Sequence, residues 1–254
     1  MIWIERLVSL LAIVILWQAA VSIEIVPEQY LPGPMTVVAA LFDLVQSGEA
    51  IDAEVLTLSR ALFGLAVTLP LGIGLAVLAW LLRPVRLALQ PVLELLRPIP
   101  PAAIVPVTIF MIGFGMELYL FTIVFVTVWP IYLNTLAALD GVNDVQLQTG
   151  RAYGCSRAEL VRSIVLPQAL PQIFVGIRIA AAISLIAAVV TELLTGRDGI
   201  GYLLFSKAFA LRIPEVFALT LLCGLNGILL NQLVNFARSF FIGWHIRMTA
   251  EAAS

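Results

Sequence analysis

The sequence predicts an all-α integral membrane protein with about six transmembrane helices. Of its 254 residues, 61% are hydrophobic and only 12% are charged, and the mean hydropathy is +1.06. In soluble domains, by contrast, about a quarter of the residues are charged. The charges cluster between apolar stretches of about 20 residues, the length at which an α-helix crosses about 30 Å of hydrocarbon. The predicted spans are approximately residues 7–23, 56–82, 91–113, 117–138, 169–194 and 214–237.

The first span has an alternative interpretation as a secretory signal peptide. Arg6 precedes its apolar core, and small residues follow at Ala19, Ala20 and Ser22. Glu5 offsets the single base of this segment, so we favour a retained transmembrane helix.

Composition excludes several classes of function. The net charge is −2 and no basic patch with interleaved aromatic residues occurs, so a nucleic-acid partner is not expected. Cys155 and Cys223 lack both metal-ligand and disulfide spacing, and we interpret both as structural. His245 is the only histidine, which argues against a metal centre or an intramembrane enzyme. Without a G-x-x-x-x-G-K-S/T phosphate loop, this chain is not expected to bind ATP.

The distribution of basic residues predicts the orientation in the membrane. With a cytoplasmic N-terminus, eight Lys and Arg residues fall in inside segments and three in outside segments. Both termini are therefore predicted to be cytoplasmic in a multi-pass protein. The loop 24–55 contains no base and is expected to face the periplasm. Its acidic residues are Glu24, Glu28, Asp43, Glu49, Asp52 and Glu54.

The third span contains the run Arg97-Pro98-Ile99-Pro100-Pro101 and then Pro106. Proline removes a backbone donor and disfavours helix at the residue before it. Irregular backbone at membrane depth is tolerated where it is buried in protein or lines a cavity, so we expect this run in the interior. A kinked helix with no role in transport is the alternative. Gly113 and Gly115 should form a tight turn into the fourth span.

The polar segment 140–168 predicts two short cytoplasmic helices. Asn143 can cap a first helix that extends to Tyr153, and Gly154 is typical of a left-handed helix end. Ser156 and Glu159 have the spacing of a capping box for a second helix, which Pro167 is expected to stop. The apolar stripe of this second helix comprises Leu160, Val161, Ile164 and Val165.

This segment resembles the "EAA" loop of binding-protein-dependent ABC importer permeases. That loop has the form Glu-Ala-Ala, three residues, Gly, nine residues, Ile-x-Leu-Pro. Gly154 and the run Ile164-Val165-Leu166-Pro167 match it, whereas Gln148, Thr149 and Gly150 replace Glu-Ala-Ala. In the family this loop docks into the ATP-binding subunit, and Gln148 can form only hydrogen bonds there. The resemblance implies a coupling role for Gln148, Arg151, Gly154, Ser156, Arg157, Glu159, Ile164, Leu166 and Pro167.

The resemblance covers approximately residues 27–245 and narrows to permeases for aliphatic sulfonates, taurine and nitrate. It implies a type I importer fold, a homodimer and location in a bacterial inner membrane. The implied partners are a dimeric ATPase, which would bind ATP and Mg²⁺, and a periplasmic or lipid-anchored substrate-binding protein. The matching features are Leu31-Pro32-Gly33-Pro34, Arg60 with Gly64, Pro91 with Glu94, Leu96 to Pro100, Gly176-Ile177-Arg178, Glu192 and Gly199-Ile200-Gly201-Tyr202.

Five charged residues lie in or at the ends of predicted spans, where charge is costly and usually faces a bundle interior or a water-filled cavity. They are candidates for an anion route or gate. For Arg178 we favour anchoring of the coupling helices, and for Glu192 a gate or a structural ion pair. The five are Arg60, Glu94, Arg97, Arg178 and Glu192.

The predicted organisation has three parts. Residues 1–55 form a transmembrane helix and an acidic periplasmic loop, residues 56–245 form the permease core with coupling helices at about 143–167, and residues 246–254 form a cytoplasmic tail. A secondary transporter without an ATPase is the alternative function, although it should show an inverted repeat. Gly72 and Gly74 indicate close helix packing.

Overall fold

The protein is described from a computed structural model that covers residues 2–23 and 26–251, without the side chains of 2–4, 6, 7, 10 and 243–251. No strand occurs in this part of the chain. The helices are α1 (Ile2–Ser22), α2 (Pro34–Gln46), α3 (Glu49–Leu81), α4 (Arg83–Leu96), α5 (Pro101–Ile112), α6 (Met116–Asp140), α7 (Asp144–Ala152), α8 (Arg157–Leu160), α9 (Leu166–Thr195), α10 (Ile200–Phe209) and α11 (Ile213–Glu251), with a π-helical stretch at Val161–Val165.

Some sequence predictions fall outside the described residues. Glu24 of the acidic loop is one, and the last three residues of the predicted tail, 252–254, are others. The side chains of Arg6 and His245 are also not described.

Four helices in the described part of the chain are long and apolar enough to cross a membrane. They are α3, α6, the continuous helix Arg157–Thr195 and α11 up to Ile242. The pair α4 and α5 forms a fifth candidate, and α1 coincides with the first predicted span. The predicted all-α architecture is therefore confirmed.

The interruption predicted within the span 91–113 is observed, and it is a sharp bend between α4 and α5. The axes of α4 and α5 differ in direction by 103°. The 12 residues of α5 extend only about 18 Å, which is short of the hydrocarbon thickness. Consecutive prolines cause the break, because Pro100 caps α5 and Pro101 occupies its first turn. Arg97 and Pro98 at the break are exposed in this chain, so the expected interior position is not observed.

The chain folds into two compact units, each described here by itself. The first comprises residues 1–57 and 192–225. Its core packs Val37 and Leu44 of α2 against Ile200 of α10 and Leu219 of α11. The indole of Trp17 donates a hydrogen bond to the carbonyl of Pro32 at 3.1 Å, which fixes α1 to the turn that begins α2.

The second unit comprises residues 58–191 and 226–254, and α6 contributes much of its core. Two glycines of α3 face two isoleucines of α6. A Cβ at Gly64 would lie 2.5 Å from Cγ2 of Ile123, and one at Gly72 would lie 2.7 Å from Cγ2 of Ile131. Since each pair is eight residues apart along its helix, the α3 backbone lies against α6 for more than two turns.

A hydroxyl pair lies between these two glycine contacts. Thr68 and Thr127 are hydrogen-bonded to each other at 2.9 Å, and both are buried. The close packing predicted for Gly72 is thus confirmed. The same prediction for Gly74 is wrong, because nothing lies within 4 Å of a Cβ built there.

Candidate functional site

The first half of the predicted coupling segment forms as the sequence indicates. The Asn143 side chain accepts a hydrogen bond from the Val145 amide at 2.8 Å and so caps α7. Gly154 adopts φ +81 after the helix end. Its amide donates to the carbonyl of Arg151, and the amide of Cys155 donates to that of Gly150, both at 3.0 Å. These two bonds define a Schellman motif, which requires the left-handed conformation that glycine adopts most readily.

The second helix begins with a complete capping box. The Ser156 hydroxyl accepts from the Glu159 amide at 3.3 Å, and the Glu159 carboxylate accepts from the Ser156 amide at 2.7 Å. The backbone hydrogen bond from Ser156, followed by that with its side chain, lowers the pKa of Glu159. The carboxylate therefore remains ionised at the start of α8, where a negative charge is favourable.

The prediction that Pro167 ends this helix is wrong. The helix continues from Arg157 to Thr195 without interruption, and Pro171 lies inside it as well. In the π-helical stretch the amide of Leu166 donates to the carbonyl of Val161, five residues back. The wider turn makes room for the Pro167 ring, which in a regular α-helix would clash with the carbonyl four residues before it.

Packing explains the glycine at the third position of the loop motif. A Cβ at Gly150 would lie 2.5 Å from Cδ2 of Leu160 and 2.8 Å from Cδ1 of Ile164. The apolar stripe predicted for the second helix therefore rests on the backbone of α7. Leu160 and Val165 are buried, whereas Val161 and Ile164 are partly buried.

The predicted coupling residues divide into a surface group and a supporting group. Ile164, Leu166 and Pro167 are partly buried and support the segment. Tyr153, at 85% exposure, is an apolar surface residue that the sequence indicated only as a helix end. A groove of about 570 Å³ runs beside it between α7 and the π-helical stretch. The exposed members of the predicted set are Gln148, Arg151, Gly154, Ser156, Arg157 and Glu159.

Two of the five pathway candidates meet at the break between α4 and α5. Arg97 lines a groove of about 500 Å³ together with the aromatic side chains Phe125 and Trp129 and the amide of Asn134. Within the described part of the chain Arg97 forms no ion pair, so its guanidinium is available. A second groove of about 430 Å³ contains both Arg97 and Glu94. Arg97 is the one positively charged residue in either lining.

The walls of the larger groove are mainly apolar. They come from the α4–α5 connection, from α6 and from α9. Phe125 and Trp129 meet edge to face with their ring centroids 6.3 Å apart. The groove can therefore hold an apolar group beside a single cation.

Two of the remaining candidates contact other side chains within the second unit. The Arg60 guanidinium lies 3.9 Å from the centroid of the Tyr119 ring and is only 7% exposed, which is the geometry of a cation–π contact. Arg178 donates a hydrogen bond to Asn235 of α11. This hydrogen bond links α9 to α11, and the anchoring of the coupling helices by Arg178 stays a prediction.

Glu192 is buried in the first unit, with no exposed surface. Its carboxylate accepts hydrogen bonds from the Thr57 hydroxyl at 2.8 Å and from the Gly201 amide at 3.1 Å. The same hydroxyl accepts from the amide of Ile200 at 2.9 Å. Both amides belong to the first turn of α10, so the carboxylate satisfies the positive end of that helix.

Gly199 completes this arrangement, which we call the Glu192 lock (Thr57, Glu192, Gly199, Ile200 and Gly201). Gly199 has φ +89, and a Cβ there would overlap the Glu192 carboxylate. The sequence indicated Glu192 and the Gly199–Tyr202 run separately but gave no sign of Thr57. Among the described residues, no group of three or more His, Cys, Asp or Glu side chains is placed to hold a metal ion.

Comparison with known proteins gives concordant matches. Residues 68–242 match the family described as "Binding-protein-dependent transport system inner membrane component". The chain is 27% identical to the putative aliphatic sulfonates transport permease protein SsuC of Bacillus subtilis, over 95% of this chain and 88% of that protein. It is 26% identical to the nitrate import permease protein NrtB of Synechocystis, over 94% and 89% respectively.

A solved structure shows the same fold. The MetNI methionine ABC transporter in an inward-facing conformation has a chain that matches with a TM-score of 0.65 at 17% identity. The match covers 78% of this chain and 96% of that one.

Proposed function

Because the chain belongs to the family of binding-protein-dependent transport system inner membrane components, we propose that it forms the translocation pathway of an ATP-driven importer of small organic anions. Membership confirms the family resemblance of the sequence and the prediction of a transport subunit rather than an enzyme. It also confirms the permease fold. The substrate, the assembly and the roles of individual residues are the proposal.

The groove at the α4–α5 break is the observation that carries the substrate proposal. A broken helix is the form in which membrane transporters commonly bring backbone and side chains to a substrate. Arg97 supplies the charge, and the aromatic and aliphatic walls supply apolar contact. A sulfonate gains on both counts, through a charge-assisted hydrogen bond and through roughly 0.8 kcal/mol per buried CH₂. Nitrate has no apolar part, so the same walls favour it less.

The exposed end of α5, the helix whose first residue Pro101 lines this groove, supports the proposal of a homodimer. Phe110 and Met111 of α5 are 92% and 74% exposed. A second copy packed against α5 would cover these side chains. The pathway would then lie between the two copies.

Coupling to a separate ATPase is proposed for the segment 143–167. Its surface combines exposed Tyr153 with the bases Arg151 and Arg157, on a scaffold held by the Schellman motif and the capping box. The helix that begins at Arg157 continues directly into α9. A movement of this surface would therefore be transmitted to a membrane span. The charge distribution supports an orientation with this segment in the cytosol, and the location that we propose is a bacterial inner membrane.

Uptake into proteoliposomes tests the proposal. The chain would be reconstituted with the ATPase and the binding protein of the proposed importer, and uptake of labelled ethanesulfonate would be compared with that of labelled nitrate. We expect ATP-dependent uptake of the sulfonate, and uptake independent of the ATPase would instead identify a secondary transporter. Faster nitrate uptake would overturn the organic-anion assignment.

Substitutions at Arg97 test whether this residue belongs to the translocation pathway. Arg97→Gln should reduce sulfonate uptake at least about tenfold, because a charge-assisted hydrogen bond is lost, and Arg97→Lys should retain part of it. Equal uptake by Arg97→Gln and the unmodified chain, at equal amounts in the membrane, would exclude Arg97 from the pathway.

A further inference from the structure

All the polar side chains of α4 lie on one side of the helix. Between Arg83 and Arg97 the chain has five of them, and every other residue is apolar. With about 3.6 residues per turn, the five fall within an arc of about 80°. Arg97 keeps helical backbone angles as the cap residue, so the register holds up to the break. We call this arc the α4 polar stripe (Arg83, Arg86, Gln90, Glu94 and Arg97).

The remaining surface of α4 consists of two apolar sectors, one on each side of the stripe. The first packs inside the unit, where Leu93 is buried in one cluster with Tyr132 and Leu136 of α6. The second is open, with Leu87 at 60% and Leu95 at 72% exposure. All members of the stripe are exposed as well. The stripe is therefore a polar surface of this chain that borders an apolar one.

The stripe extends from the end of α6 to its middle. At one end, the Arg86 guanidinium donates two hydrogen bonds to the carboxylate of Asp140, the last residue of α6, at 3.0 and 2.8 Å. At the other end, Arg97 and Trp129 line the same groove. Trp129 precedes Asp140 by 11 residues, which is about 16 Å along α6. Arg97 therefore lies near the middle of a membrane span.

Charge at this depth is costly unless it faces a bundle interior or a water-filled cavity. An amphipathic helix on the membrane surface would also carry a polar stripe, but it would not bring Arg97 to the level of Trp129. A dry contact with a second copy is disfavoured too. A two-fold axis along the membrane normal would set each charge at the level of the identical charge of the other copy. A water-filled cavity is the environment that remains.

Two grooves connect this surface to the substrate groove of the proposed function. The groove of about 430 Å³ is lined by Gln90, Glu94 and Arg97 together. Arg97 also lines the larger groove of about 500 Å³. From there the stripe leads to Arg83 at the start of α4, an end that the charge distribution predicts to be cytoplasmic.

We infer that the α4 polar stripe forms the cytoplasmic half of the translocation route, a water-filled exit along which the anion leaves Arg97. This inference rests on the proposed importer function. Gln90 offers uncharged hydrogen bonds midway, and Arg83 offers a positive charge at the cytoplasmic end. Glu94 lies one turn from Arg97, so its carboxylate weakens the attraction of the anion to Arg97 and favours release.

Thiol labelling at position 90 tests this inference. The background chain carries Cys155→Ala and Cys223→Ala, and the complete transporter is placed in inside-out membrane vesicles. The reagent is 2-sulfonatoethyl methanethiosulfonate, which does not cross membranes and itself contains an ethanesulfonate group. Val92→Cys is the matched control, because position 92 lies at nearly the same depth but on the open apolar sector. We expect Gln90→Cys to react at least about tenfold faster, since only a thiol in water forms the reactive thiolate readily.

Two results would overturn the inference. One is an equal rate at positions 90 and 92. The other is an unchanged rate at position 90 when the transporter is trapped with ATP and vanadate, since a surface helix is accessible in every state whereas an exit closes in one of them. Absence of ATP-driven uptake by the parent chain would instead overturn the proposed function, whatever the labelling shows.

The role of Glu94 has a separate readout in the same vesicles. Combined with Gln90→Cys, Glu94→Gln should raise the rate with the anionic reagent about threefold, because one repelling charge is removed nearby. The rate with the cationic trimethylammonium analogue should fall. Equal changes for both reagents would contradict an electrostatic role for Glu94 in release.

Discussion

The Thr57 hydroxyl and the Glu192 carboxylate, 135 positions apart in the chain, are hydrogen-bonded at 2.8 Å with neither residue exposed. The hydroxyl also receives the amide of Ile200, so it joins the end of α9 to the start of α10. A buried carboxylate without its donors is costly, which makes this contact a strong determinant of stability in the first unit.

Thr57→Val should lower the free energy of unfolding of the first unit by about 1–3 kcal/mol, because the buried Ile200 amide loses its acceptor and the Glu192 carboxylate loses one donor. Thr57→Ser retains the hydroxyl and should cost less. Thermal unfolding in detergent, followed by circular dichroism, measures the difference. Equal melting temperatures for the Val and Ser variants would contradict a role for this hydrogen bond.

Gly199→Ala should destabilise the protein more than Gly196→Ala. Both glycines have positive φ, at +89 and +62. A Cβ at Gly199 also overlaps the Glu192 carboxylate, whereas nothing lies within 4 Å of one at Gly196. We expect about 1 kcal/mol for Gly196→Ala from backbone strain alone, and more than about 2 kcal/mol for Gly199→Ala. The same melting experiment compares them, and a smaller effect at Gly199 would rule out the overlap.

Gly72→Ala should destabilise the second unit, because its Cβ would lie 2.7 Å from Cγ2 of Ile131. Combination with Ile131→Ala should recover part of the loss. Gly74→Ala is the matched control, since that site is open, and it should be neutral or stabilising by up to about 1 kcal/mol. Similar losses at Gly72 and Gly74 would count against the packing of α3 on α6.

Gly154→Val should reduce coupled transport while the chain still inserts in the membrane. The site has φ +81 and open space around it, so the effect would come from backbone strain in the Schellman motif. Gly154→Asn tolerates this conformation better and should retain more activity. Charge reversal at Arg151 or Arg157 should also lower ATP-driven uptake, measured at equal membrane levels. Full uptake by all these variants would exclude the segment from coupling.

The capping box predicts a pH dependence local to α8. Because the folded-state pKa of Glu159 is below its unfolded value, the box is fully stabilising above that unfolded value and weakens as pH falls through the folded-state pKa. Hydrogen-exchange protection of α8 should therefore be constant from neutral pH to about pH 5 and decrease in stronger acid. Glu159→Gln should abolish this dependence, and an unchanged acid decrease in that variant would assign it to another group.

Local signals in the sequence predicted the features that involve neighbouring residues. Asn143, Gly154 and the Ser156–Glu159 pair act over five residues or fewer, and the structure places them as expected. The prediction that Pro167 ends the helix is wrong because the chain changes to π-helical hydrogen bonding before it, and residue type alone does not indicate that change.

The sequence alone does not predict contacts between segments that are far apart in the chain. The Glu192 lock depends on Thr57, and the 103° angle between α4 and α5 depends on how both helices pack. Hydropathy reports the length of an apolar stretch and not its direction. It therefore located residues 91–113 without revealing their bend.

The helix that begins at the capping box has a mechanical consequence. From Arg157 to Thr191 it contains 35 residues, about 50 Å at 1.5 Å per residue, with no loop between the polar segment and the membrane core. A continuous helix of this length can carry a displacement from the polar segment to the membrane span, and its hydrogen-bonding pattern changes at the π-helical stretch. We therefore expect a displacement applied at Arg157 along the axis to reach the packed region of Ala187 and Ala188, and any local change of helix geometry to occur at Val161–Val165.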